Sequence, residues 1–346
     1  MERAIGVDVG TFFFQVAEQT AGTIDIKTIR NAFVELEASE DIEQVLEQNN
    51  WQYIHDEKKY YVLGEDSMRV SRMFPGKVKL RRPMQDGVLN KGESKKMLVL
   101  AKMIETSIGK ASDKKSIVCA CVSSDPVDGA VDNTFHRARL EGMFKRLGWN
   151  VKLIEEGHAV VLSERPTIVE SDGKEIPYSG IGISFGAGKA NCVLAYRGLA
   201  VVGMSCARAG DWIDQKVSDQ TDVPLSQVTN IKETKLDFNN IDYGDDVLFG
   251  LDAYYGNMIE YVFKNFATKF AEIKSQFEAP LDIVLAGGTS TPKGFRKKVE
   301  SVVKDLDLPF EIKSVKMSKD PRNSVVRGLL TQALISYKKL SGEEKD

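Results

Sequence analysis

Cysteine is scarce in this 346-residue chain, with four residues at 119, 121, 192 and 206. Their spacings form neither a C-x-x-C pair nor a zinc-type double pair, so the expectation is buried, reduced thiols rather than a disulfide framework. Proline is also sparse, at ten residues, which rules out collagenous and proline-rich classes. No window approaches the roughly 18 consecutive apolar residues of a membrane span, and no basic N-terminal segment precedes an apolar stretch. A cytoplasmic protein with at most peripheral membrane contact is expected. A dominant charge is missing too: 47 Lys and Arg against 50 Asp and Glu leave a net charge of −3. Without a global basic field, direct nucleic-acid binding is not expected.

What is present suits a folded α/β body, at 42% hydrophobic and 28% charged residues. The length fits two domains, or one body divided by a cleft. Residues 4–9 form a β-rich run, Gly10 and Thr11 punctuate it, and residues 12–17 form a second run, which predicts a hairpin. Residues 31–75 are mixed and polar, with short strand candidates at 51–54 and 59–63, and are expected to form a small inserted subdomain. Residues 76–87 carry turn signals.

Helical spacing over 94–109 leads into a buried strand at 116–122. Asp132 or Asn133 then caps a predicted helix whose inward face is Phe135, Ala138, Met143, Phe144 and Leu147, before a strand at 151–154. The charged, turn-rich stretch 164–179 is the expected domain boundary. After it the opening theme returns: a strand at 181–185, a glycine turn at 186–188 and a second strand at 192–196. Two such hairpins about 175 residues apart suggest internal duplication. Residues 213–278 read as mostly helical, including 254–277. A strand at 282–286 ends in Gly287, Gly288 and Thr289, and an amphipathic helix over about 322–337 closes the chain.

Glycine turns let backbone N–H groups approach phosphate oxygens and form an anion-binding nest. Singly, each turn reads as structural. Gly188-Lys189 imitates the end of a P-loop, but the pattern needs glycine at Ile183 and Ser or Thr at Ala190, so it fails twice. Order and chemistry carry more information. Asp8 sits within Gly6-Val-Asp-Val-Gly-Thr11, where a carboxylate beside a phosphate turn can hold Mg²⁺ through water.

That segment resembles the first phosphate loop of the actin-like ATPase superfamily. Gly186-Ala-Gly188 is similar to its second phosphate loop, Leu285-Ala-Gly-Gly-Thr-Ser290 to its adenosine loop, and Leu153-Ile-Glu-Glu156 and Asp320-Pro-Arg-Asn-Ser-Val-Val-Arg-Gly328 to its two connecting segments. Arg82-Pro-Met-Gln-Asp-Gly-Val88, Gly210-Asp-Trp-Ile-Asp214 and Ile231-Lys-Glu233 resemble segments of bacterial actins, of the MreB and MamK type. The resemblance spans roughly residues 3–335 with the motifs in order.

The resemblance implies an α/β, actin-like fold: two duplicated ribonuclease-H-like domains flanking a nucleotide cleft, each with a smaller inserted subdomain. Domain I is expected at 1–156 with 330–346, carrying an insert at about 31–75. Domain II is expected at 157–329, with an insert at about 208–280. The implied cofactors are ATP or ADP and Mg²⁺. Asp8 would anchor the metal, and Glu156 would orient the attacking water, since phosphoryl transfer rests on positioning and electrostatics. Glu155 reads as its structural neighbour and His158 as a packing histidine. Gly10, Thr11, Gly186, Ala187 and Gly188 would clasp phosphates, and Gly210 and Asp211 would support them. Lys232 and Glu233 would contact ribose or base, and Gly287, Gly288 and Thr289 would pack on the nucleoside.

Two departures stand out. Ser184 opens the second phosphate turn where most actin-like proteins carry aspartate, and Lys189 places a cation where the position is usually neutral. They predict firm ATP binding with slow hydrolysis, or Mg²⁺ held mainly through Asp8 and Glu156. The resemblance implies an ATP-binding bacterial actin homologue forming a head-to-tail homopolymer of paired protofilaments, with adaptor proteins as further partners. Assembly would follow ATP binding and disassembly would follow weak ATPase turnover. The alternatives are a slow or non-hydrolysing scaffold and, with less support, a small-molecule kinase on the same core.

Overall fold

The structure is a computed structural model that describes residues 3–342 except 75, 86, 90–93, 129–132 and 274–278. The first half runs β1 (Ala4–Val9), β2 (Phe13–Thr20), β3 (Thr23–Arg30), β4 (Phe33–Glu37), α1 (Glu40–Gln48), β5 (Tyr53–Asp56), β6 (Lys59–Leu63) and α2 (Gly64–Met73). It continues with β7 (Met84–Gln85), β8 (Val88–Leu89), α3 (Ser94–Ile108), β9 (Ile117–Val122), α4 (Asn133–Arg146), β10 (Asn150–Glu155) and α5 (Glu156–Glu164). The second half runs β11 (Thr167–Val169), β12 (Glu175–Pro177), β13 (Gly180–Phe185), β14 (Ala190–Tyr196), β15 (Leu199–Cys206), α6 (Gly210–Thr221), α7 (Leu225–Thr234) and α8 (Asp246–Ala271). It ends with β16 (Leu281–Ala286), α9 (Phe295–Lys304), β17 (Ile312–Met317) and α10 (Ser324–Ser341).

Two five-stranded sheets share one topology. The first has the order β10-β9-β1-β2-β3 and the second β17-β16-β13-β14-β15. In each, the first three strands form an antiparallel meander, and two later strands add in parallel on the other side of the first. The two hairpin turns close alike, Gly10 N–H donating to the Phe13 carbonyl at 3.0 Å and Gly186 N–H to the Lys189 carbonyl at 2.9 Å. Matched hydrogen bonds and matched strand order make the duplication a structural fact.

Strand periodicity sorts the side chains into layers. On β1, Ile5, Val7 and Val9 enter the first half's core, which leaves Gly6 and Asp8 on the opposite face. On β13, Ile181, Ile183 and Phe185 enter the second half's core, which leaves Gly182 and Ser184 opposite. Between the sheets lie α5 and α10, in a shared apolar layer containing Cys119, Cys121, Ala159, Val284 and Leu329. The approach is too close for side chains: a methyl group on Gly6 would collide with the α10 backbone at Leu330, one on Gly182 with Gly157, and one on Gly328 with Ala159. All four cysteines are buried and free.

Several details differ from the sequence expectations. The strands β3, β15 and β17 lie outside the sequence expectation, and β3 carries mostly exposed residues, with Ile26 and Ile29 half-buried against neighbouring cores. The α4 helix buries His136 and Leu140, while Ala138 is exposed and Phe135 and Leu147 only half-buried. Asn133 is its first helical residue, and Asp132, the other proposed cap, lies outside the described residues, as does Phe277 at the end of the long helical reading. The stretch expected as a boundary folds into the β11–β12 hairpin. Within the expected insert, residues 33–73 form a three-stranded sheet, β4-β6-β5, with α1 and α2. Among the described residues, no helix is long and apolar enough to cross a membrane.

Candidate nucleotide site

Where the two glycine turns face each other the halves enclose a cleft of about 360 Å³. It is lined by Asp8, Gly10, Thr11, Glu156, Ser184, Gly186, Ala187, Gly188 and Lys189, and further out by Asp211, Lys232, Glu233, Gly287, Gly288 and Thr289. Of the residues expected to hold the nucleotide or its metal, Gly210 alone is set back from the lining. Its N–H donates to the Gly186 carbonyl at 3.1 Å, and a Cβ there would crowd Thr289.

The second turn is braced from behind. Asp211 N–H donates to the Ala187 carbonyl at 2.8 Å, and Thr289 Oγ1 donates to the Gly186 carbonyl at 2.8 Å. The buried Tyr255 hydroxyl holds the Thr289 carbonyl at 3.0 Å. Gly188 comes so near the first half that a Cβ would stand 2.8 Å from Gly87 N, and Thr11 Oγ1 accepts from that same N–H at 3.1 Å. This packing requires glycine at 188.

At the inner end Asp8, on β1, and Glu156, at the start of α5, approach each other. Burial raises both carboxyls above their ordinary range, and for Glu156 the Asp8 charge adds to the effect. Both retain some exposure toward the cleft, yet protein surrounds them closely. Cys121 Sγ donates to Asp8 Oδ1 at 3.1 Å. Ser184, Lys189 and Asn191 pull Glu156 back toward its ionised form. Two like charges held together in a low-dielectric site favour a shared proton or a bridging cation. Glu155, one residue earlier, ends β10 and is absent from the lining.

Mg²⁺ typically keeps several waters and takes one or two carboxylates together with substrate phosphates. Asp8, with Glu156 beside it, fits that pattern, and Ser184 can hydrogen-bond a metal-bound water. No cluster of three or more His, Cys, Asp or Glu side chains among the described residues is arranged to hold a metal alone.

Two lysines of the lining have protein partners that the sequence does not show. Lys232 directs its ammonium to Asp214 at 2.8 Å and to the Gly210 carbonyl at 3.0 Å, so its charge ties α7 to α6. Lys189 lines the cleft, passes against Gly87 and ends 3.4 Å from Asn133 Oδ1 of the first half. His158 packs as expected, through Nε2 to the Gly198 carbonyl at 2.8 Å.

Gln15 lines the cleft and went unread in the sequence. Gln15 Nε2 reaches Asn323 Oδ1 at 2.7 Å and joins β2 to the segment before α10. A glutamine inside the apolar run 12–17 was the available signal. Arg82 lies over the Phe12 ring at 4.7 Å and donates to Asp211 Oδ2 at 2.8 Å, linking the halves at the cleft mouth.

Two duplicated sheets, a cleft between facing glycine turns and an acidic pair at its base define a bacterial actin-like fold. Solved structures of that class agree. MreB5 of Spiroplasma citri bound to AMPPNP aligns at a TM-score of 0.67 and 15% identity over 99% of both chains, and the same protein bound to ADP aligns equally. A double-helical filament of MamK aligns at 0.65 and 17% identity, over 96% of this chain and 99% of that one. The Volactin family profile matches residues 3–333, and the chain belongs to the Volactin family. No curated protein matches significantly.

Proposed function

We propose that the chain binds ATP or ADP with Mg²⁺ in the cleft and assembles head to tail into paired cytoplasmic protofilaments, with ATP binding favouring assembly and slow hydrolysis loosening it. The observation that carries this reading is the convergence of two hairpin turns on the Asp8 and Glu156 pair. The two jaws are residues 1–156 with 330–346, and 157–329. Gly10, Thr11 and the 186–188 turn clasp the phosphates, Asp8 anchors hydrated Mg²⁺, and Glu156 orients the attacking water. The 287–289 turn packs on the nucleoside, with Glu233 at the ribose side.

The solved MreB5 complexes contain AMPPNP and ADP, and the MamK structure is a filament, which supports the same chemistry and assembly here. Ser184 favours a second reading, an ATP-dependent scaffold with little turnover, because its hydroxyl lends no negative charge to the metal. Pelleting and negative-stain microscopy with ATP, ADP and a non-hydrolysable analogue test both. Filaments that form with ATP and later disassemble support dynamic polymerisation, filaments that persist support the scaffold, and absence of filaments under every nucleotide condition removes both.

A further inference from the structure

Just outside the first phosphate turn is a second pocket of about 390 Å³, lined by Lys79, Arg81, Arg82 and Lys96 together with Thr11 and Asp211. Thr11, Met84 and Asp211 line the nucleotide cleft as well, so the two spaces adjoin at its phosphate end. Among the described lining residues four cations thus stand with one carboxylate, in a chain whose net charge is −3.

The backbone fixes this display. Residues 77–82 read Lys-Val-Lys-Leu-Arg-Arg, and Arg81 exchanges two 2.8 Å backbone hydrogen bonds with Phe33. An extended segment alternates its faces. Val78 and Leu80 pack on the small subdomain's core, while Lys77, Lys79 and Arg81 are exposed. Arg81 approaches Glu35 at only 3.6 Å, and Lys59 is that carboxylate's main partner. Arg82 turns the other way, onto Phe12 and Asp211.

We propose that this pocket is a second oxyanion site, taking a phosphate group outside the nucleotide cleft. Arginine presents a planar fork suited to phosphate oxygens, and lysine a movable point charge. The volume falls in the range of small-molecule sites, so inorganic phosphate is the minimal occupant and a small phosphate ester fills more of the space. The cations belong to this chain whatever the cleft holds. Only the statement that the neighbouring ligand is a nucleotide rests on the function proposed above.

The test is titration of inorganic phosphate into ADP-saturated protein at constant ionic strength, followed by phosphorus NMR line width. Saturable binding is expected, weakened at least tenfold in Lys79→Ala/Arg81→Ala, with ADP affinity and melting temperature unchanged. Lys79→Ala alone gives a smaller loss, and Arg81→Lys restores part of it. The proposal is overturned if ADP-loaded wild type binds no phosphate saturably, if the double variant binds it like wild type, or if chloride displaces it equally well. Should ADP itself fail to bind, the same titration on nucleotide-free protein still compares wild type with the variants, and failure of the cleft reading is recorded separately.

Discussion

Lys189 Nζ, carried by the second half, lies 3.4 Å from Asn133 Oδ1, at the start of α4 in the first. Both residues are buried, at 5% and 8% exposure. Asn133 also donates to the carbonyls of Ser123 and Ser124 at 3.3 and 2.8 Å, and Ser124 N–H donates to Asn191 Oδ1 at 3.3 Å. The turn expected to clasp phosphates is therefore connected through one lysine to the opposite jaw, beside Glu156.

Removing that cation while keeping the stem, in Lys189→Met, should destabilise the protein by about 1–3 kcal/mol, because the buried Asn133 oxygen loses a donor. It should also raise the Glu156 carboxyl further, since Lys189 favours its ionised form. The acid limb of the hydrolysis rate profile is expected to move to higher pH in Lys189→Met and to stay in place in Lys189→Arg. A limb that does not move in either variant argues against the electrostatic link.

The carboxyl pair gives the nucleotide-free protein a distinct pH dependence. A folded-state value raised above the unfolded one means that the native state holds the extra proton, so stability is highest at low pH and falls as pH rises through the shifted value. For Glu156 the window runs from its ordinary 4.5 up to about 8. Glu156→Gln should flatten this decline, read as melting temperature against pH without nucleotide or metal. A slope equal to wild type would sink the assignment.

Charge at the second turn is expected to limit turnover. Ser184→Asp adds a carboxylate where the resemblance to actin-like proteins implies one, and steady-state phosphate release should rise about tenfold, equivalent to some 1.4 kcal/mol of barrier. An unchanged rate would mean that Ser184 is a neutral variation.

The helix layer between the sheets tolerates no added volume. Gly328→Ala places a methyl against the Ala159 backbone, which must shift, and a loss of about 1–3 kcal/mol is expected by thermal or chemical denaturation. Gly142→Ala, at a half-buried helical glycine whose Cβ would meet open space, serves as the control and should be neutral or slightly stabilising.

Much of the fold is legible in the chain because its signals are local. Continuous apolar runs mark the doubly covered strands β9, β13 and β16, and glycine punctuation after β1 and β13 marks the two turns. The exposed strand β3 lacks that signal because solvent, and not a core, faces most of its side chains. On α4, His136 displaced Ala138 from the predicted buried face because its ring meets the Leu89 N–H at 3.3 Å, a contact made across 47 residues.

The sequence alone determined the order of the glycine turns, the serine at 184 and the scarcity of cysteine, since each is a matter of which residue stands where. Tertiary structure decided where the charges go. Lys232 directs its ammonium to Asp214, Lys189 crosses to Asn133, Arg82 stacks on Phe12, and Asp8 on β1 meets Glu156 at the start of α5. The physical reason is that a charge takes its meaning from partners within a few ångströms. Here those partners stand tens to more than a hundred residues away in the chain.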